Sequence, residues 1–268
     1  MTPPPAKILR IAILDSDSFS RNWNASLLMR DWRTRVVAEH ETFAQLSSFL
    51  TRELVPIDFV IVDLDNGVEN YSLPDVLSLI KAHLYPTKVI AIGQKPDLNI
   101  LGLIKHDVFS GYLKKSEVEF SLAWAVNECA AGSWVITPGI EKFARHHATH
   151  LPDSCVVLEE KESTKYLSNA ERFKVRLAFV MSMERDTMAD EMQLGVNSVF
   201  TLISRLYENI GVNDLLAGDD WIQFLSDSDP VIREKINAYF EHDESTPGKE
   251  TVAYHIVTKP LFRKHQDD

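Results

Sequence analysis

An α/β chain is predicted: a doubly wound five-stranded parallel sheet, then an all-α domain, then a C-terminal extension. Three observations carry this. Ile57-Asp58-Phe59-Val60-Ile61-Val62 is a short, mostly β-branched apolar run that begins after Pro56 and ends at Asp63, Asp65 and Gly67, as a strand buried on both faces of a parallel sheet does. Ile11-Ala12-Ile13-Leu14 ending in Asp15-Ser16-Asp17, and Gly111-Tyr112-Leu113 ending in Lys114-Lys115, repeat the form. Beyond residue 167 the pattern changes to short helical segments punctuated by Gly195 and Gly211.

Taken in order, the first strand is 11–14. Residues 18–32 follow as a helix with Phe19, Trp23, Leu27 and Leu28 at helical spacing. A short strand at 36–38, a helix at 43–54 and the central strand come next. Helix 73–84, strand 88–92, helix 98–106, strand 111–113 and helix 116–129 complete an alternation that predicts right-handed crossovers. Carboxylates and an ammonium then gather at the carboxyl edge of the sheet, where open α/β sheets place their chemistry.

Length and composition limit the function. A chain of 268 residues, 45% hydrophobic, suffices for two cores. A formal charge of −11 leaves no general attraction to nucleic acid or anionic membrane, so any DNA contact must come from a local basic face. Cys129 and Cys155 lack metal-type spacing, and Cys129 reads as a buried thiol. No apolar run approaches a membrane span, and a cytoplasmic protein without membrane contact is expected. No nucleophile–base pair, Gly-rich phosphate loop or metal motif appears, so an enzyme is not expected.

Gly132 stops a helix, and Thr137 with Pro138 restarts one over 138–150. His146, His147 and His150 cluster there on what reads as an exposed linker, 131–164. The acidic stretch Glu159-Glu160-Lys161-Glu162 marks the best domain boundary, with 156–158 as a short edge strand. Ser168 with Glu171 fits a capping box that opens the all-α domain, 165–217. Helices at 187–193 and 196–210 flank Leu194-Gly195, and Met188, Met192, Leu194, Val199, Ile203, Leu206 and Ile210 supply a core. In the extension, 218–268, residues 230–240 read as an amphipathic helix and 250–257 as a strand, while Arg263-Lys264-His265 is a basic tip.

The strand-end acids and lysine, in this order and spacing, resemble the bacterial response-regulator receiver domain, so residues 1–130 are expected to take that fold. The resemblance implies Asp63 as phosphoacceptor, Asp15, Asp63 and Asp65 as Mg²⁺ ligands, Lys115 as the phosphate-neutralising lysine and Tyr112 as the switch aromatic. Two positions depart from it. Ser16 replaces the second metal-binding acid, so Mg²⁺ binding is expected to be weak, with Asp17, one residue further on, as the acid that would reach round the turn in compensation. Gly93 replaces the hydroxyl that contacts the phosphoryl group. Kinase-driven phosphorylation of Asp63 stands against a plain Asp63–Lys115 ion pair in a receiver kept for dimerisation or docking.

Residues 188–199, Met-Ala-Asp-Glu-Met-Gln-Leu-Gly-Val-Asn-Ser-Val, resemble without a gap the helix-turn-helix of LuxR-type regulators, and 130–138 resembles the segment that follows the receiver in them. The resemblance implies a homodimeric transcription regulator in a two-component system, served by a sensor kinase or another partner protein. It would read the major groove of double-stranded DNA with Asn197, Ser198, Phe200, Thr201, Ser204 and Arg205. Only Arg205 on that face is basic, and between 165 and 225 six basic side chains face nine acidic ones. The competing reading is therefore an interaction protein that sequesters or scaffolds another regulator without touching DNA.

Overall fold

Strands that are apolar on both faces need covering on both faces, and this is how the first half of the chain is built. The computed structural model describes residues 8–31, 33–52, 56–65, 71–159, 168–217 and 249–265. β1 (Leu9–Leu14), β3 (Phe59–Asp63), β4 (Lys88–Gly93) and β5 (Phe109–Lys114) are buried along almost their whole length, whereas β2 (Thr34–His40), at the sheet edge, is only half-buried. All five pair in parallel in the order β2-β1-β3-β4-β5, with Ile13 beside Ile61 and Ile61 beside Ile90. That order belongs to the flavodoxin-like doubly wound class, whose switch point falls between β1 and β3.

Helices return the chain between strands. α1 (Ser18–Met29) is capped by the Asp17 side chain, which accepts from the Phe19 N–H at 2.9 Å. α2 (Phe43–Arg52) and α3 (Leu73–Lys81) follow, the latter opened by a Ser72/Asp75 capping box. Only one turn of the helix expected at 98–106 forms, α4 (Leu98–Leu101). The helix expected at 116–129 is two, α5 (Lys115–Val118) and α6 (Leu122–Ala130), broken where Glu119 takes a φ of 37°. Phe19 lies 86% exposed rather than in the core, because Leu27 and Leu28 already fill the buried side of α1.

The sheet has eight strands, not five. Residues 131–159, expected as an exposed linker, carry it onward as β6 (Trp134–Ile136), α7 (Pro138–His146) and β7 (Cys155–Glu159), with β6 parallel to β5 and β7 parallel to β6. A three-residue strand carries almost no periodicity, but its burial is complete: Trp134 packs edge-on against Phe109 at 5.7 Å and donates from Nε1 to the Phe109 carbonyl at 3.1 Å. Gly111 makes the approach possible, since a Cβ there would lie 2.9 Å from the Val135 carbonyl oxygen.

The last strand comes from the far end of the sequence. β8 (Leu261–Lys264) pairs antiparallel with β7, Leu261 opposite Glu159. Arg263 and His265, expected in a free basic tip, instead converge on buried Glu141 of α7. Arg263 donates to both Glu141 oxygens, at 3.0 and 2.5 Å, and to Glu159 at 2.6 Å, while His265 Nδ1 lies 2.8 Å from Glu141 Oε1. The hydrogen bonds from Arg263 outweigh burial and, with His265, hold the Glu141 carboxyl down at about 2.

Two units result: residues 8–160 with 260–268, and a second one centred on 161–259. The second is therefore an insertion between β7 and β8 rather than a domain followed by a free extension. It contains α8 (Asn169–Val175), whose capping box forms as expected, with Ser168 Oγ 2.7 Å from Glu171 Oε2, and a π-helical turn continuing it over Arg176–Val180. α9 (Arg185–Glu191), α10 (Val196–Asn209) and α11 (Val212–Ala217) follow. Residues 250–257, expected as a strand, lie in helix α12 (Lys249–Thr258), whose Ala253, Tyr254, Ile256 and Val257 are all buried. The expected helix at 230–240 lies outside the described residues.

Candidate functional site

At the switch point, β1 and β3 end side by side and deliver Asp15 and Asp63, 1% and 3% exposed. Asp65 lies just beyond β3, and Lys115 opens α5 after β5. The Lys115 ammonium pairs with Asp63 Oδ2 and lies 3.0 Å from Asp65 Oδ2. Asp63 Oδ1 accepts from the Asp65 N–H at 2.7 Å, the Asp63 carbonyl accepts from the Tyr71 hydroxyl at 3.1 Å, and Asp65 accepts from the Gln94 N–H at 3.0 Å. Burial pushes the Asp63 carboxyl up to about 6, against the Lys115 hydrogen bond and with the Asp15 charge adding to the rise.

The other expected members of this site fall into place unequally. Asp15 Oδ1 accepts from the Asp17 N–H at 2.9 Å, and Oδ2 has no hydrogen-bond partner among the described residues. Asp17 does not reach round to supply the missing acid: its carboxylate is the cap of α1. Ser16, half-buried at the head of that turn, offers only a hydroxyl. Gly93 ends β4 and offers no hydroxyl, and a Cβ there would meet Leu64 Cβ at 3.3 Å, closer than ordinary contact. Tyr112 is fully buried, its hydroxyl donating to the Lys95 carbonyl at 3.1 Å and accepting from the Asp97 N–H at 3.0 Å.

Among the described residues, no three His, Cys, Asp or Glu side chains are placed to hold a metal ion. At Asp15, Asp63 and Asp65 the ammonium of Lys115 stands between two of the carboxylates, and Ser16 is a poor hard-cation ligand. The residues present fit a lysine-neutralised acid cluster better than a divalent cation. Sequence reasoning missed two supports of this cluster. Arg21 donates from Nη1 to the Asp15 carbonyl at 2.5 Å, and Glu117 ties Lys114 (2.8 Å) to the Gly139 N–H (2.7 Å) at the start of α7. The spacing of Arg21 on α1 was the available signal for the first; the second needs β6, which no pattern announced.

In the inserted unit, α9 and α10 are joined by residues 192–195, with Gln193 at a φ of 53° and Gly195 as the N-cap of α10. Met188 and Ala189 of α9 pack inward, as do Val199, Ile203, Leu206 and Tyr207 of α10, whereas Leu194, expected in the core, is 41% exposed. Tyr207 stacks on Phe179 at 5.3 Å. The opposite face of α10 carries Asn197, Ser198, Phe200, Thr201, Ser204 and Arg205, all exposed. The structure thus groups all six expected contact residues on one outer helix face.

The strand order, the acid–lysine cluster and the helical insertion together define a receiver-like α/β sheet carrying a helical unit. No protein-family model matches the chain, and no curated protein does. Among solved structures it is similar to two-component response regulators. One is RcsB of Salmonella typhimurium, with TM-score 0.47 and 15% identity over 76% of this chain and 93% of that one. A second is RcsB of Salmonella enterica serovar Typhimurium bound to promoter P1flhDC, with TM-score 0.47 and 16% identity over 76% and 92%. A third is a LuxR-family response regulator of Aurantimonas sp. SI85-9A1, with TM-score 0.45 and 21% identity over 53% and 98%. Likeness at this level concerns fold alone.

Proposed function

We propose that the chain is a transcription regulator of the response-regulator type that binds double-stranded DNA as a dimer through α10. The observation that supports this best is the division of α10 into a buried apolar side and an outer side bearing Asn197, Ser198, Thr201, Ser204 and Arg205. Short amide and hydroxyl side chains beside one guanidinium suit base edges and phosphates of a major groove. Among the described residues no helix is long and apolar enough to cross a membrane. The test is a fluorescence-anisotropy titration against the protein's own promoter and a scrambled duplex at two salt concentrations. Site-selective binding that weakens with salt and is lost in Arg205→Ala is expected; equal, negligible binding to both duplexes by folded protein overturns the proposal.

Phosphorylation is not the control in this reading. Asp63 is already neutralised by Lys115, and Gly93 brings no hydroxyl to the phosphoryl position. Incubation with acetyl phosphate and Mg²⁺ is expected to leave the intact mass unchanged, and a phosphoryl adduct lost in Asp63→Asn would contradict this. A second reading, an interaction protein, rests on Phe200, 56% exposed on a face with a single basic residue.

A further inference from the structure

α8 and α10 do not close on each other. Between them lies a groove of about 560 Å³ whose lining includes Leu194, Leu202 and Leu206 together with Lys174, Ser198 and Arg205. That volume falls within the range of small-molecule sites, which combine an apolar wall with a few convergent polar groups. The charge at the groove is positive although acidic side chains outnumber basic ones across this unit. Glu171 borders it and accepts from the Ser168 N–H at 2.9 Å and the Ser168 hydroxyl at 2.7 Å, closing the cap of α8, while its charge also acts on Lys174. No carboxylate among the described residues pairs with Arg205. The lining therefore combines an ammonium, a guanidinium and a hydroxyl with three leucine side chains.

We infer that this groove is a binding site for a small amphipathic organic anion, its carboxylate, sulfonate or phosphate held by Lys174 and Arg205 and its apolar body laid against Leu194, Leu202 and Leu206. A purely apolar ligand would leave the Arg205 guanidinium unanswered, and an inorganic anion would leave the leucines wet. Ser198 and Arg205 also belong to the outer face of α10, so an occupant of the groove covers part of the surface assigned above to DNA. Occupancy itself does not depend on that assignment.

The test uses the full chain and 8-anilinonaphthalene-1-sulfonate, with N-phenyl-1-naphthylamine, the same aromatic body without the charge, as comparison. A saturable one-to-one fluorescence titration is expected, about tenfold weaker in Lys174→Gln and in Arg205→Gln and retained in Lys174→Arg. Circular dichroism checks that each variant is folded. The neutral probe is expected to bind more weakly than the sulfonate. The inference is overturned if the sulfonate does not bind, if both Gln variants bind it as the parent does, or if the neutral probe binds equally well. None of these outcomes involves DNA, so they are separable from the anisotropy result.

Discussion

Asp63 shows how a strand-end carboxylate behaves when it is buried beside a lysine and a second acid. With burial as the leading cause, its carboxyl sits near 6 instead of the ordinary 3.8. The folded chain thus holds that proton more tightly than the unfolded chain. The corresponding stability is whole below about pH 4 and lost as pH rises through about 6. Asp63→Asn is expected to raise stability at pH 7.5 by about 1–3 kcal/mol in urea denaturation, with the gap closing by pH 4. A variant less stable than the parent at pH 7.5 would instead make the Lys115 pair a net contributor, which buried ion pairs need not be. Much of this site was legible in the sequence: Asp15, Asp63, Asp65 and Lys115 do converge, because strand ends in a parallel sheet point the same way. Asp17 was misjudged because a carboxylate one residue before a helix is both a candidate ligand and a preferred cap, and the cap won.

At the scale of elements, β6 and β8 matter most and were least legible. Strands of three and four residues are too short for alternation to show, and β8 pairs with β7 across about a hundred residues of intervening chain. By contrast β1, β3 and β4 were evident, since a strand buried on both faces is written as an uninterrupted apolar run. Gly111→Ala drives a Cβ against the Val135 carbonyl oxygen. It is expected to cost about 1–3 kcal/mol, read by thermal or urea unfolding, as overpacking does. Arg263→Ala leaves Glu141, 5% exposed, without its main partner. Because the Arg263 side chain is 38% exposed, solvent screening reduces the loss to about 2 kcal/mol at pH 7. Glu141 titrates near 2 in the folded chain against an ordinary 4.5. The pair's stabilisation is therefore present above pH 4.5 and lost as pH falls towards 2, so parent and variant should converge across that window. An unchanged gap at pH 2 would mean that Arg263 acts by packing.

At the scale of the whole molecule, the helical unit is inserted in the sheet unit, bounded by β7 and β8, which are hydrogen-bonded to each other. The two-domain division was legible from the acidic stretch after Glu159, but not the return of the chain, because nothing in residues 261–264 distinguishes an edge strand from a polar tail. The extra strands also cover the free edge that β5 would present in a five-stranded sheet. A dimer of this chain therefore cannot be built by pairing at β5.

DNase I footprinting of the protein on its own upstream region tests the central claim most directly. A dimer reading DNA through α10 is expected to protect two half-sites about one helical turn apart, with both protections lost together in Arg205→Ala. No protection by folded protein at low salt, or protection unchanged in that variant, would contradict the assignment of α10 as the DNA-reading helix.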